Sequence, residues 1–595
     1  MRTLRKAIPV IITMMLGFWA ANLIGMRIRI DLEAGADASA IINHLAAAFD
    51  RPLTLGTQTS DLLAGLGGAA CVGLAWLYRW GMRRNWREGE EYGSARWARA
   101  DEMAPYTDHD PAGNIQMTAT EGLSIDAEAT HRNRNTGVLG SSGSGKTSGH
   151  VIPNIRRANM NYACTDPKGE LYDRTHADLK QAGYTLRKLD LVDLRHDGDQ
   201  DEATFNPLDY IDAMKPDVAI MHLVSNLMAN TNDGSAREHQ GDGFWDKAER
   251  SLLTALTAYV YYTGVNPDDP ERPEELVYRR TLNAVADLAG RMESSEEDET
   301  RMSIVDAEMR SIRTLHASFD PAEWDEESRR VMDGLKFAAD QYRPFEQGAG
   351  ETKKSIIISL GVRLAPLQVR AVREILATDT IGIRDFARPG RRTAIFLALP
   401  DEDPTFNFLA AIFYQCLFDQ IIASCRDLPG GRLPRPLHCY LDEFANIGRI
   451  PNFERLISTI RSRDVSVSII LQTIGQLKSM YKDDWETIMG NCDNILFLGG
   501  SEQSTTEWIS KLLGKATIDT RETSDTKGMN GSHTVSYRRT GRELLTPDEL
   551  AQMSNDRCIY MLRGVRPFLS RKIKPGTGRF ARPHSTLRHS EQWVL

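Results

Sequence analysis

Ala7 to Met26 is a run of twenty residues without a charge, AIPVIITMMLGFWAANLIGM, and Leu62 to Tyr78 is a second of seventeen, LLAGLGGAACVGLAWLY. As helices both are long enough to span, or nearly span, a hydrocarbon core. The pattern predicts a membrane anchor over residues 1–80, with helices at about 7–26 and 62–78 and a short loop, 27–61, between them. Arg2, Arg5 and Lys6 precede the first run, and Arg79, Arg83, Arg84 and Arg87 crowd the far end of the second. Basic flanks stay on the cytoplasmic side, so both termini are expected inside the cell and the loop outside. Trp76 and Trp80 stand where interfacial anchors sit, while Trp19 lies deeper in its run. A cleaved signal peptide also begins with basic residues and an apolar stretch, but the second run, with its own basic flank, argues against one.

Beyond the anchor the texture changes twice. Residues 81–130 are polar and mixed in charge, with Trp86, Tyr92 and Trp97 interleaved, and read as a linker leading into a domain edge. From Asn135 onward, short apolar runs appear, each closed by turn or polar residues: 137–139, 162–165, 186–191, 393–399, 438–441, 465–471, 494–498 and 558–562. Helical stretches lie between many of them, which predicts an α/β domain with a largely parallel sheet and crossover helices. Residues 213–345 break this rhythm. Apolar positions recur there at helical spacing in Val218–Met228, Phe244–Tyr262, Thr281–Met292, Ser303–His316 and Glu326–Tyr342, with hardly a strand candidate. The expected organisation is therefore an all-α insert, 213–345, in a discontinuous α/β domain made of 131–212 and 346–575, followed by a tail, 576–595.

Charge sharpens that division. At 595 residues the chain is too long for one ordinary core. Its 72 Lys and Arg against 81 Asp and Glu give no overall basic signature, so any nucleic-acid path must be a local surface. The insert holds 26 Asp and Glu against 15 Lys and Arg, which leaves the rest of the chain close to neutral. Its densest acidic part, ESSEEDE from Glu293 to Glu299, reads as a solvated loop. The tail carries Arg579, Arg582 and Arg588. The seven cysteines form no CxxC pair, and several lie in apolar runs, as buried thiols of a reducing compartment do; neither a zinc site nor a disulfide framework is expected.

The candidate chemistry begins at GSSGSGKT, Gly140 to Thr147, which fits G-x-x-x-x-G-K-[ST] directly after an apolar strand. The small residues Ser141, Ser142, Gly143 and Ser144 let the backbone close around phosphates, with its N–H groups and the following helix N-terminus pointing at them. In that setting Gly145 completes the turn, Lys146 reaches the β and γ phosphates, and the Thr147 hydroxyl coordinates Mg²⁺. Some three hundred residues later LHCYLDEF ends a strand in Asp442, a second Mg²⁺ ligand, and Glu443, a general base for water. The strand VSVSIIL delivers Gln472 at its carboxyl end, a neutral amide suited to sensing a γ-phosphate. Arg461 and Arg463, in TIRSRD, are candidates for a finger extended into a neighbouring subunit's site, with solvation as their other reading; Arg449 is a weaker one.

The order of these parts resembles the additional-strand, catalytic-glutamate branch of P-loop ATPases, the RecA-like motors. With the two apolar helices, CTDPKGELYD (Cys164–Asp173), FNPLDYI (Phe205–Ile211), LDEFANIG (Leu441–Gly448), LQTIGQL (Leu471–Leu477) and FLGGSEQSTTEWISKLLG (Phe497–Gly514), the chain resembles the type IV secretion coupling proteins of conjugation from residue 7 to about 575. That resemblance implies a plasma-membrane or inner-membrane ATPase using ATP and Mg²⁺. It implies a homo-hexamer that recruits a relaxase-bound DNA strand with its accessory proteins and feeds it to the secretion channel proteins. It implies also that the helical insert caps the cytoplasmic mouth, and it places Asp166, Lys168 and Glu170 in a characteristic segment beside the phosphate loop. The short basic tail departs from members that recruit through a long acidic extension, which leaves recruitment to the insert or a separate partner. Two other readings share parts of this pattern. One is a membrane-anchored double-strand DNA translocase of the chromosome-segregation kind. The other is a receptor that uses ATP only to assemble, against which Glu443 weighs. No LSGGQ signature points to an ABC transporter.

Overall fold

The computed structural model describes residues 2–82, 87–194, 200–231, 244–264, 279–294, 302–318, 320, 324–526 and 532–574. Arg83, Arg84, the acidic positions Glu296–Glu299 and the basic tail lie outside these. The chain divides into two compact units, residues 1–92 with 519–539, and residues 93–518 with 540–595.

The first unit is built on two long helices, Arg2–Glu33 and Thr59–Gly81, both apolar and long enough to be candidate membrane spans. Small residues let them approach: a Cβ on Gly68 would lie 2.6 Å from the Gly17 carbonyl oxygen, and one on Gly17 would lie 2.6 Å from a Val72 methyl. The Trp76 indole N–H donates to Thr13 Oγ1 at 3.0 Å. The first helix runs seven residues past the uncharged stretch. Beyond Met26 it is carried by i,i+4 pairs, Arg27–Asp31 and Arg29–Glu33, and by Arg29 against the fully buried Asp61 at 3.0 Å. The connection expected as a plain loop is also partly helical, at Ala38–His44 and Leu45–Phe49. Asn22, fully buried, ties it down by donating to the Gly56 and Asp61 carbonyls and accepting from the Gly56 N–H.

The second unit is organised by a nine-stranded sheet. Its strands in chain order are β1 (Thr136–Leu139), β2 (Asn161–Pro167), β3 (Thr185–Asp190), β4 (Thr393–Leu399), β5 (Leu437–Leu441), β6 (Val465–Leu471), β7 (Asn494–Phe497), β8 (Arg557–Leu562) and β9 (Phe568–Arg571). Across the sheet they run β9-β8-β7-β1-β6-β5-β2-β4-β3. From β7 to β3 all neighbours are parallel, while β8 pairs antiparallel with both β7 and β9. All eight apolar runs form strands. Those of β1, β4, β5 and β6 are buried along their whole length, which is why they read as continuous apolar stretches instead of alternating ones. The short β9 carries no comparable run, since its side chains are mostly half-buried or exposed.

Residues from 93 onward pack with this sheet instead of linking to it. Ile115 and Leu123, paired across the small antiparallel strands Asn114–Gln116 and Gly122–Ser124, and Met117, just past the first of them, share one apolar cluster with Val138, Tyr162 and Tyr440. The alternation of single apolar residues with polar ones hides this in the sequence.

The expected helices appear as Pro216–Asn230, Phe244–Thr263, Leu282–Gly290, Ile304–Ala317 and Glu326–Glu346. Their ends carry local signals: Thr281 accepts from the Ala284 N–H, and Ser303 and Asp306 form a reciprocal capping box. Helical structure continues beyond residue 345 through Gly350–Leu364 and Arg370–Ile375, because Ile356, Leu360 and Leu364 join the same core. A third apolar helix, Asn407–Ser424, has the length and composition of a membrane span over Pro404–Ser424, but two-thirds of that stretch is buried in the interior of the protein. It is a core helix behind β4, all-round apolar because it is all-round packed.

Candidate nucleotide-binding site

Parallel strands deliver their following loops to one edge of a sheet, and here four of them converge. β6 lies between β1 and β5, so the loop after β1 and the carboxylates after β5 stand one strand apart, with Gln472 between them. The loop is anchored to both neighbours of β1: the Gly140 N–H donates to the Leu471 carbonyl at 3.2 Å, and the Ser141 N–H to the Gly499 carbonyl at 3.0 Å. Gly143 (φ 73°) and Gly145 (φ 89°) take the left-handed conformation that turns the chain into the helix beginning at Lys146. A Cβ on Gly140 would run into the Ser144 hydroxyl and come within 3.0 Å of Leu498 Cβ, so a side chain there requires the loop to shift. Ser141, Ser142 and Gly143 are exposed at the loop tip, whereas Ser144 is buried with its hydroxyl lacking a hydrogen-bond partner among the described residues.

The loop closes on itself through Lys146. Its Nζ donates to the carbonyls of Gly140 at 2.9 Å and Ser141 at 3.3 Å, and stands 3.9 Å from Glu443 Oε1. Thr147 Oγ1 donates to Asp442 Oδ2 at 2.7 Å. Asp442 is buried, and burial raises its carboxyl to about 6, against the opposing pull of the Thr147 hydroxyl. Glu443 takes the left-handed backbone conformation (φ 49°), uncommon for a residue with a side chain, and its carboxylate accepts from Gln472 Nε2 at 3.3 and 3.4 Å. The loop, the carboxylate pair and Gln472 are thus brought together within one chain.

A cavity of about 290 Å³ opens over Gly145, Lys146 and Thr147 and is closed on the far side by Lys168, Glu170 and Asp401. Lys168 Nζ pairs with Asp401 Oδ2 at 2.9 Å. Asp166, at the end of β2, accepts from the Leu171 and Tyr172 N–H groups at 2.7 and 2.8 Å, starting the helix Glu170–Gln181, and burial raises its carboxyl to about 7. Asp166 therefore shapes the wall of the cavity, and Lys168 and Glu170 line it.

Arg461 and Arg463 are not brought to this site. They precede β6, at the end opposite Gln472, about 20 Å away for seven residues of strand. Arg463 Nη1 donates to the Gly431 carbonyl at 3.1 Å, while Arg461 is exposed. Arg449 lies over the Tyr481 ring, 5.7 Å from its centroid. Two residues at the site carry no sequence signal of their own. Asp401 is visible only as an acidic residue just past a strand end. Lys572, just past β9, donates to the Ser144 carbonyl and to Asn555 Oδ1, both at 2.9 Å, beneath the phosphate loop.

Fold and site together define a RecA-like P-loop nucleotide-binding domain with a helical insert, on a chain that begins with two apolar helices. The family model for type IV secretory system conjugative DNA transfer matches residues 96–575, and the chain belongs to that family. Among curated relatives, the chain is 23% identical over 604 residues to Protein VirD4 of Agrobacterium fabrum (strain C58 / ATCC 33970), covering 97% of this chain and 79% of that one. It is also 23% identical over 440 residues to the conjugal transfer protein TraG of Rhizobium radiobacter, covering 72% of this chain and 60% of that one. Among solved structures, the bacterial conjugative coupling protein TrwBdeltaN70 in its trigonal form with sulphate superimposes with a TM-score of 0.53 at 14% identity, over 81% of this chain and 93% of that one. The plasmid coupling protein TrwB in complex with the non-hydrolysable ATP analogue ADPNP gives 0.50 at 14% identity, over 83% and 98%.

Proposed function

We propose that this protein is a membrane-anchored, ATP-hydrolysing coupling protein that recruits a relaxase–DNA complex and delivers it to a type IV secretion channel during conjugation. The observation that carries the reading is the placement of a base, Glu443, beside Lys146 and Gln472 in a chain of the conjugative transfer family. A site built only to bind nucleotide has no use for a carboxylate held there.

The residues divide the work. Backbone N–H groups of Gly140–Thr147 and the Lys146 ammonium receive the phosphates, the ammonium exchanging the Gly140 and Ser141 carbonyls for phosphate oxygens. Thr147 and Asp442 present only oxygen donors, and their contact at 2.7 Å fits a hard divalent ion such as Mg²⁺. Bound there, Mg²⁺ supplies neutralisation of phosphate charge. Glu443 accepts a proton from the attacking water, and Gln472, bonded to both carboxylate oxygens, holds it in place and reads the γ-phosphate. The ATP analogue complex of the structural neighbour TrwB supports ATP as the nucleotide.

The two apolar helices insert in the bacterial plasma or inner membrane with both termini cytoplasmic. The motor works as a homo-hexamer, in which Arg461, exposed at the end of β6 away from its own loop, reaches a neighbour's site, with Arg463 as the alternative. The helices of 213–345, whose core continues into Gly350–Leu364 and Arg370–Ile375, form the insert that receives the relaxase and its accessory proteins. Single-stranded, relaxase-bound DNA is the cargo.

The test uses the full chain in lipid nanodiscs, with ATP turnover measured with and without single-stranded DNA, and a mating assay in cells carrying the deletion and its complement. The reading requires turnover stimulated by DNA and transfer restored only by an active protein. Transfer restored equally well by Glu443→Gln would refute it.

A further inference from the structure

We propose that Asn230, the last residue of the insert's first helix, is a positioning residue of the hydrolytic site: it holds the turn after Glu443 and thereby ties the base to the helical insert. This rests on the hydrolytic role proposed above for Glu443.

The helix Pro216–Asn230 ends against the segment after β5. The Asn230 side chain satisfies both backbone groups of one residue there. Its Oδ1 accepts from the Arg449 N–H at 2.7 Å, and its Nδ2 donates to the Arg449 carbonyl at 2.9 Å. An amide engaged in this way replaces a neighbouring strand. Nδ2 is shared with Asn226 Oδ1 at 2.7 Å, and the fully buried Asn226 in turn donates to Gln415 Oε1 at 2.6 Å and to the Ala411 carbonyl at 3.0 Å. A ladder of amides therefore runs from the core helix Asn407–Ser424, through the insert's first helix, to Arg449. Asn230 Nδ2 also donates to the Asn226 carbonyl of its own helix at 3.0 Å, but the helix end does not depend on it, since the Thr231 N–H closes it on the Leu227 carbonyl at 3.0 Å.

The clamp lies six residues from Glu443, and the intervening chain has little slack. Asn446 N–H donates to the Glu443 carbonyl at 2.7 Å and Ile447 N–H to the Phe444 carbonyl at 3.2 Å. Gly448 has a φ of 83°, and a Cβ on it would come within 2.6 Å of Asn230 Oδ1. Glu443 keeps its own left-handed conformation only if its surroundings fix it from both sides. On one side its N–H donates to Asp442 Oδ1 at 3.1 Å; on the other stand the Asn230 clamp and Tyr481, whose hydroxyl accepts from the Ile450 N–H at 3.1 Å. A shift of the helix Pro216–Asn230, as when a partner binds the insert, is passed to the base through this turn.

The test compares wild type, Asn230→Leu and Asn230→Asp as full chains in nanodiscs. It measures ATP turnover, affinity for a fluorescent non-hydrolysable ATP analogue, and hydrogen exchange at the Arg449 amide. Asn230→Leu, similar in volume but unable to bond, is expected to lower kcat at least tenfold, keep nucleotide affinity within about twofold and speed exchange at Arg449. Asn230→Asp keeps the acceptor for the Arg449 N–H and should fall between. Gly448→Ala presses on the same clamp from the loop side and should give the same split of kcat from affinity, which keeps the test decisive if the Leu variant folds poorly. A kcat in Asn230→Leu within twofold of wild type, or a loss of affinity parallel to the loss of kcat, would overturn the proposal. Absence of turnover in wild type would instead overturn the hydrolytic role of the site.

Discussion

Replacing Glu443 by Gln removes a charge and a proton acceptor while keeping shape, and the surroundings of the side chain set the size of each effect. The carboxylate stands 3.9 Å from Lys146 Nζ and accepts from Gln472 Nε2 on both oxygens. At an effective dielectric near 20, unit charges at that distance attract by about 4 kcal/mol before screening. The Glu443 side chain is 23% exposed, which reduces the net value to about 1 kcal/mol. That attraction competes with phosphate for Lys146, so its loss should strengthen ATP binding, by up to about fivefold. The amide also conflicts with Gln472, donor against donor, until Gln472 turns its oxygen inward. Loss of a general base costs about 10²–10⁴ in rate, or about 3–5 kcal/mol of barrier. The variant should therefore bind ATP at least as tightly as wild type, release phosphate at least a hundredfold more slowly and trap nucleotide. Single-turnover phosphate release, measured beside equilibrium binding of labelled ATP, reads both quantities. A rate within tenfold of wild type would refute Glu443 as the base, and weakened binding would refute the competition for Lys146.

Lys146→Ala should abolish turnover and transfer while leaving membrane insertion intact, as fractionation and nucleotide binding can show; normal transfer would remove the motor reading. The Asp442 carboxyl, raised from 3.8 to about 6 by burial, contributes stability that is full below pH 4 and lost as pH rises through 6, up to about 3 kcal/mol in metal-free protein. Asp442→Asn should flatten that part of the stability profile in denaturant titrations, and Mg²⁺-dependent nucleotide binding in wild type should weaken as pH falls below 6. Gly140→Ala should lose nucleotide binding because its Cβ meets Ser144 Oγ, and Ser144→Gly in the same chain should restore part of it; no recovery would place the fault elsewhere. Gly68→Val should loosen the anchor, since the added side chain meets the Gly17 carbonyl, and cysteine cross-linking between the two helices in membranes should fall.

The sheet can be read from the chain because its central strands are buried on both faces, which forces continuous apolar runs such as Thr393–Leu399 and Val465–Leu471. Loop, carboxylates and Gln472 are legible for a related reason: each comes directly after such a run, and parallel strands bring their carboxyl ends to one edge. Where burial is one-sided or scattered, the signal fades. β9 has no such run, Lys572 stands beyond it as an ordinary lysine, and Asp401 is one acid among three. Hydropathy ends the first apolar helix too early, at Met26, because it marks where the chain is greasy, whereas Arg27–Asp31 and Arg29–Asp61 mark where it stays helical. Residues 93–130 look like linker because Ile115 and Leu123 come singly, and only pairing of their short strands brings them to one face. No spacing points to Asn230, since its partner Arg449 is 219 residues away.

The core helix Asn407–Ser424 imposes a burden on biosynthesis that the finished protein conceals. A chain whose first two apolar helices are candidate membrane spans later presents a third stretch as apolar as the second of them. Most of what covers that helix, Pro216–Asn230 and Ile383–Ala387 above all, has been made before it. The rest comes after: Phe453, whose ring lies 6.4 Å from that of Phe418, leaves the ribosome only some tens of residues later. During that interval the lipid and the half-built core compete for the same face. A slow codon stretch or a destabilised insert would lengthen the contest, and a chain that lost it would leave its later strands, with Asp442 and Glu443, cut off from β1 and the phosphate loop.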